Sequence, residues 1–510
     1  MGAIGFIRKG RGGMLSVLAI GLGLVGAAFP GASAYAAGKE SLAVGINGDP
    51  ASLDPHVQWD TDSYTVYRNI FDNLLTRNDA GKIVPQVAKS WKYASDTEIE
   101  FTLRDDIKFH DGSPLKPEDV VFSVKRIIDP AFKSPQLSQF NAIVDAKVSG
   151  PSTVKLVTSS PYPALLAQLV KLSIVPEASV KKLGDVEFNQ KPLGSGPFRF
   201  VSWQRGVRVQ LDANASYWRG KPGFEHVEFR GVPDRATRAA DLKTGKADII
   251  TGLQPDDTLP IKGEANLKIL SVPTERIGYL FINALWGPTA DVRVRQAIAY
   301  GIDRKTIIEA LLSGYGKMVN IVLTPANFGY VEGFEGYPFN PAKAKALIKE
   351  AGKENAELTF ITSPVYDQRV VQAIQQMLGE VGLKVNISST DQPTFLKRRQ
   401  GNPDEAGNMS TGNWSCACQD ADGVIYPLFR SGSIWSKYSN PDFDAAVDAA
   451  RSTLDEAKRL ADYKKAFQLL ERDVPGIGLY QNEAIYAARK ELVWQPTPNE
   501  SFFVFDMKWQ

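Results

Sequence analysis

Apolar and polar positions alternate with period two in the early part of the chain. In Ser41 to Ile46, Leu42, Val44 and Ile46 share one side; in Glu98 to Arg104, Ile99, Phe101 and Leu103 oppose Glu98, Glu100, Thr102 and Arg104. Such alternation predicts half-buried strands. Asn47-Gly48-Asp49-Pro50 breaks the first strand, and His110-Asp111-Gly112 reads as a turn. Pro117-Glu118-Asp119 opens a helix through Val120, Val121, Val124 and Ile127, with acids in the first turn where the helix dipole favours them. Further strands are expected near 153–157, 208–212, 226–230 and 247–250, with a helix over 236–244. From Val292 the spacing becomes helical, through Val294, Ala297, Ile298, Ile302, Ile307, Ile308, Leu311 and Leu312. Asn340-Pro341 and Asn440-Pro441 each offer an N-cap followed by a first-turn proline. Val370, Ile374, Met377, Leu378 and Val381 line another helix with Met377 as core filler, and Gly352 and Gly382 are C-cap candidates. Strands and helices mix throughout, which predicts α/β layers. No repeat and no long linker is visible, so the domains are expected to share chain crossings.

The first residues follow a different rule. Arg8, Lys9 and Arg11 precede a 15-residue uncharged apolar run, Met14 to Ala28, and Ala32-Ser33-Ala34 and Ala34-Tyr35-Ala36 follow it. A basic start, an apolar core and small residues form the secretory signal pattern, and the run is short of the roughly 20 residues of a membrane span. Residues 1–37 are therefore expected to be a leader cut near 34–37, and the rest an exported protein of the periplasm. Gly21-Leu22-Gly23-Leu24-Val25-Gly26 spells a dinucleotide fingerprint inside that leader and is set aside. Without its three basic residues the chain carries 56 basic against 57 acidic residues, so no excess points to nucleic acid. The 510-residue length is enough for two to four domains at about 100–200 residues each.

Candidate chemistry is sparse. The three histidines, His56, His110 and His226, are far apart and none has a partner at metal-ligand spacing, so no metal or cofactor is expected. Leu193-Gly194-Ser195-Gly196 lacks the first glycine of a nucleophile elbow, which leaves Ser195 as a turn residue. Asp420-Ala421-Asp422-Gly423 resembles part of a calcium loop, but Cys418 and Phe429 occupy two of the ligand positions. An enzyme is not expected; an exported hydrolase is the remote alternative. Cys416 and Cys418 are the two cysteines, and two reduced thiols, a local disulfide and an intermolecular bond all stay open.

A longer string of motifs is specific. Pro85-Gln86-Val87-Ala88-Lys89-Ser90-Trp91 is followed by Phe101-Thr102-Leu103-Arg104, Phe109-His110-Asp111-Gly112-Ser113-Pro114-Leu115 and Asp119-Val120-Val121-Phe122-Ser123. Then come Gly194-Ser195-Gly196-Pro197-Phe198, Asn214 with Tyr217-Trp218, Gly245 to Ile249, Asp291 to Ile298 and the Trp414 segment. Over roughly 41–505 the chain resembles the dipeptide, oligopeptide and nickel-binding family (family 5) of solute-binding proteins of ABC importers. The resemblance implies an α/β fold of two hinged lobes with an extra subdomain inserted in the first. It places lobe I at 38–74, 195–283 and 489–510, the inserted subdomain at 75–194 and lobe II at 284–488. It also implies a monomer that closes on a small-molecule or peptide ligand, docks on a membrane permease and does no chemistry.

In peptide-binding members an extended ligand adds to a strand edge. Here that edge reads Asn413-Trp414-Ser415-Cys416-Ala417-Cys418. Ala417 stands where peptide binders carry the aspartate for the ligand α-ammonium, so a non-peptide solute, opine-like or glutathione-like, is the alternative to peptides. Asp420 and Asp422 are candidates to receive a cation instead, or simply cap a turn. Trp414 is read as pocket wall or core, with Trp435 and Tyr366 as weaker wall candidates. Arg369 is placed either on a ligand carboxylate or on a helix surface. Val57 and Trp59 resemble the first-lobe side of the cleft, with Asp54 as a turn residue. Lys397-Arg398-Arg399 reads as a solvated face, and a second lobe without histidine suits nickel poorly.

Overall fold

A computed structural model describes residues 40–510 apart from Trp59 and Ala417; the expected leader and the site expectations at Trp59 and Ala417 lie outside the described residues. Ten strands make the main sheet among the described residues. In chain order they are β1 (Ser41–Ile46), β2 (Phe198–Gln204), β3 (Arg208–Ala213), β4 (His226–Gly231) and β5 (Ile249–Leu253). They continue with β6 (Leu267–Ile282), β7 (Glu357–Thr362), β8 (Lys384–Ser389), β9 (Met409–Trp414) and β10 (Gly476–Arg489). Their spatial order is β8-β7-β9-β6-β10-β5-β1-β4-β3-β2. The two longest strands, β6 and β10, lie antiparallel at the centre, and β6 pairs with β10 from Leu267–Arg489 to Phe281–Gly476. Register shifts fall between Pro273 and Ile277 and between Gly278 and Tyr279. The register shifts mark bulges that bend these two strands locally.

Each side of this central pair has its own core. One packs Val44, Ile46, Phe198, Leu211 and Phe229 around β1 to β5. The other has two: Ile298, Phe360, Ile374 and Leu378 on one face of the sheet, and Phe281, Leu323, Phe429 and Phe467 on the opposite face. A separate four-stranded antiparallel sheet, ordered Ala88–Ser95, Glu98–Leu103, Thr153–Thr158 and Ile143–Gly150, packs Ile99, Phe101 and Leu156 against Val120 and Val124 of helix Pro117–Ile128. No helix among the described residues is long and apolar enough to cross a membrane.

The motifs that carry the family resemblance meet at one buried carboxylate. Asp72 accepts from Gln86 Nε2 (2.7 Å), Ser195 Oγ (3.0 Å), Tyr217 OH (2.8 Å) and Trp218 Nε1 (3.2 Å). Burial raises its pKa, and these donors work against that rise. The His110 ring bonds to Gly196 O (3.0 Å), as does Asn214 Nδ2 (3.1 Å). A Cβ on Gly196 would stand 2.7 Å from Ile70 O, so only glycine lets this loop lie against that backbone. The knot joins Gln86, next to the four-stranded sheet, to the 195–218 segment. The Ser195 hydroxyl is buried and donates to the Asp72 carboxylate.

The caps at Asn340 and Asn440 form as expected, each side chain accepting from a first-turn amide. Gly352 and Gly382 adopt positive φ just past their helices. The helical texture after Val292 hides four strands of the main sheet, β7, β8, β9 and β10. In β7, Leu358, Phe360 and Ile361 are all buried, because a parallel strand covered on both faces needs no polar alternation. Arg399 overturns the solvated-face expectation at 397–399: it is 1% exposed, with its guanidinium 3.3 Å from the Phe281 ring and Nη1 donating to Trp435 O at 2.6 Å. The stacking face and the carbonyl draw it inward, while Lys397 stays exposed.

Candidate functional site

A cavity of about 440 Å³ lies over the two long central strands β6 and β10. Its floor takes Thr274 and Arg276 from β6 and Tyr480, Asn482 and Tyr486 from β10; these alternate positions share one face of each strand. Thr61 and Thr65, one turn apart on helix Thr61–Tyr67, and Gln254 supply the first-lobe wall. Tyr315, Val365, Asp367 and Asn413 supply the second-lobe wall, and Glu500 and Phe502 of the C-terminal segment close the back. The volume falls in the range of about 300–1,000 Å³ usual for small-ligand pockets.

Of the charged groups lining the cavity, Arg276 pairs with Glu500 and Asp367 with Arg369, and Glu483 lines it as well. Arg276 Nη2 lies 2.8 Å from Glu500 Oε2, and Glu500 sits in left-handed backbone, φ 53°. Non-glycine residues in that region are uncommon and cluster at functional sites. Next to it Glu275 is 3% exposed, its Oε2 has no hydrogen-bond partner, and burial followed by the Glu500 charge pushes its pKa up to about 7. Thr274 Oγ1 donates to Asn482 O (3.0 Å) and Gln481 Nε2 to Thr274 O (2.7 Å), so side chains stitch the two strands at their bulge.

The expected site residues divide into groups. Trp414 and Trp435 come together, ring centroids 5.5 Å apart and edge to face, and Trp414 Nε1 donates to Gly423 O (2.9 Å). Both are half-buried and pack on the second-lobe core. Ser415 follows Trp414 at the end of β9, also half-buried. Cys416 and Cys418 form a disulfide with Cα atoms 5.0 Å apart. Tyr366 packs edge to face on Phe395 and lines a small recess of about 20 Å³ with Tyr279, Thr411 and Gly412 that shares Asp367, Asn413 and Tyr480 with the main cavity.

Other expectations meet groups already in use. Both carboxylate oxygens of Asp420 accept from Arg459 (2.9 and 3.0 Å), with side chains only 4% exposed, and Tyr463 OH is 3.3 Å away. Asp420 also accepts from the Asp422 amide (2.9 Å). Asp422 lies 3.4 Å from Arg451, and burial pushes its pKa up to about 6. A ligand cation at either acid would have to displace a resident arginine, so these two expectations are corrected to internal ion pairs. Arg369 is exposed and held by Asp367 (2.7 Å) and, across the cleft, by Asp256 (2.9 Å). Val57 is 39% exposed on the Asp54 turn and lies outside the cavity lining. Asp54 is a buried partner of Arg126, at 3.0 and 2.6 Å. Arg276 and Glu500 went unread in the sequence, because no motif marks them and 224 residues separate them. Among the described residues no cluster of three or more His, Cys, Asp or Glu could hold a metal ion.

Two lobes joined by paired crossings, with a cavity lined from both, define a two-lobed solute-binding protein of the periplasmic binding fold. The chain belongs to the bacterial extracellular solute-binding proteins, family 5, whose middle-region model matches residues 82–459, and it is the solute-binding component of an ABC importer. It is 29% identical over 510 residues to the glutathione-binding protein GsiB of Salmonella typhi, covering 96% of this chain and 98% of that one. The structure of HbpA2 from Haemophilus parasuis matches with a TM-score of 0.84 at 25% identity, covering 92% of this chain and 100% of that one. That of AgaA from A. tumefaciens R10, in complex with agropinic acid, matches with a TM-score of 0.73 at 28% identity, covering 92% and 99%.

Proposed function

We propose that this chain captures a short peptide or peptide-like solute bearing both an amine and a carboxylate, of the size of glutathione, and releases it unaltered to its permease. The bodies that close are 38–74, 195–283 and 489–510 carrying 75–194, against 284–488. The protein works as a monomer in the periplasm after loss of its leader. The observation that carries the reading is the Arg276–Glu500 ion pair inside a cavity lined by both lobes. A zwitterionic ligand fits into that pair: its carboxylate takes Arg276 and its ammonium takes the freed Glu500, so neither resident charge is left alone. The edge of β9 from Asn413 to Cys416, with the Trp414 and Trp435 rings behind it, receives the ligand main chain by strand addition. Contacts from both lobes favour the closed form, and a change from mostly open to mostly closed needs about 5 kcal/mol of differential contact. Similarity to a glutathione-binding relative supports the tripeptide scale; the agropinic-acid complex of AgaA favours an opine as the second reading.

The test is calorimetry and small-angle scattering with glutathione, S-methylglutathione, alanyl di- and tripeptides and agropinic acid. Saturable binding of one of these with a smaller radius of gyration is expected. Arg276→Ala is expected to weaken that binding at least tenfold, about 1.4 kcal/mol. Binding untouched by this substitution in a well-folded variant would remove the ion pair from the site. A radius that never changes would remove closure.

A further inference from the structure

Arg77 hydrogen-bonds from the 75–194 region to the 284–488 region. Arg77 ends the strand Leu75–Arg77, paired in a hairpin with Ile83–Pro85. Its Nη1 donates to Gly81 O of its own hairpin at 2.6 Å, and its Nη2 donates across the cleft to Cys418 O at 2.7 Å. Its Nε is buried without a hydrogen-bond partner, burial lowers its pKa, and the Glu275 and Asp420 charges partly offset that. The guanidinium is thus committed to two carbonyls, one in each moving body.

The acceptor is unusually well held. The Cys416–Cys418 disulfide closes a ring of three residues, and Gln419 N donates to Cys416 O at 2.7 Å. Phe328 N donates to Gln419 O and Ala421 N to Phe328 O, both at 2.8 Å, and Arg459 anchors Asp420. Gly423 packs beneath the sulfurs, where a Cβ would stand 2.8 Å from Cys418 Sγ. A carbonyl fixed in this way needs no reordering when the donor arrives. Around it Arg451, 4.1 Å from the Tyr426 ring, also reaches the subdomain's Tyr162 at 5.9 Å.

We infer that Arg77 is a positioning residue for closure, a clasp that engages the Cys418 carbonyl only when the lobes meet, and that the Cys416–Cys418 disulfide holds that carbonyl in register. The clasp adds a charge-assisted bond that exists only in the closed form, so it slows opening and ligand escape without touching the ligand. This rests on the two-lobe closure proposed above, and its test separates the two.

Dyes attached at exposed Val186 of the subdomain and Ile434 of the second lobe report the distance between the bodies in single molecules, with S-methylglutathione as probe and without it. The probe has no free thiol to exchange with the disulfide. Arg77→Ala is expected to raise the opening rate about tenfold with little change in closing rate. Arg77→Lys restores part of the effect, and the thermal unfolding midpoint stays near wild type. Replacing both cysteines by serine raises the opening rate too, and combined with Arg77→Ala adds little more. Wild-type closure with an unchanged opening rate in Arg77→Ala overturns the clasp and leaves closure standing. Additive effects overturn the disulfide's part in it. Wild-type protein that never closes, with or without probe, overturns the closure reading itself, and the clasp with it.

Discussion

Removing Arg459 tests whether Asp420 serves the fold or the ligand. Arg459 Nη2 holds both oxygens of Asp420, Nε donates to Ala450 O at 3.0 Å, and the guanidinium lies 4.5 Å from the Phe328 ring. Both ion-pair side chains are 4% exposed, so water cannot screen the pair or replace the lost partner. Arg459→Met keeps much of the side-chain bulk but strands a buried carboxylate beside Tyr463, and is expected to cost about 3–5 kcal/mol. Adding Asp420→Asn removes the stranded charge, and the double variant is expected to recover about half or more of the loss, since replacing a buried pair costs far less than breaking it. Denaturant unfolding at pH 7, with equal m-values across wild type, both single variants and the double, measures the cycle. A loss below about 1 kcal/mol for Arg459→Met, or a double variant no more stable than it, would refute the assignment of Asp420 to the fold.

Three further outcomes are expected. Burial holds the His56 pKa down at about 4 against an ordinary 6.5, so the native ring stays neutral while the unfolded ring binds a proton. Its stabilisation is complete above pH 6.5 and is lost as pH falls to 4, by about 3 kcal/mol; His56→Gln should flatten unfolding free energy against pH in that window, and an unchanged slope would contradict it. Asp72→Ala leaves the donors of Gln86, Ser195, Tyr217 and Trp218 facing an empty space and is expected to cost about 3 kcal/mol or more, read by denaturation, with faster hydrogen exchange at 194–198 as the local sign. Gly423→Ala places a methyl group on the Cys416 and Cys418 sulfurs and is expected to lower stability by about 1–3 kcal/mol and to leave titratable thiols; a fully oxidised variant of wild-type stability would show that the loop has room.

The sequence by itself determined the local elements and the class. Period-two alternation marks β1 and the strand Glu98–Leu103, Asn-Pro pairs mark two helix starts, and the ordered motifs identify the family. These are legible because neighbouring residues set backbone propensity and because Gly196, Ser195 and Trp218 must be those residues for the Asp72 knot to close. The tertiary structure decided the charges. Asp420, Asp422 and Arg369 look free in a linear reading, yet folding gives each a partner, and Arg399 leaves the surface for the Phe281 ring. Glu500 reaches Arg276, and Cys418 reaches Arg77, over separations of 224 and 341 residues. Electrostatic pairing depends on distance through space and on burial, neither of which local sequence encodes, so the family could be read along the chain while the cleft's ion pair and the clasp could be read only from the fold.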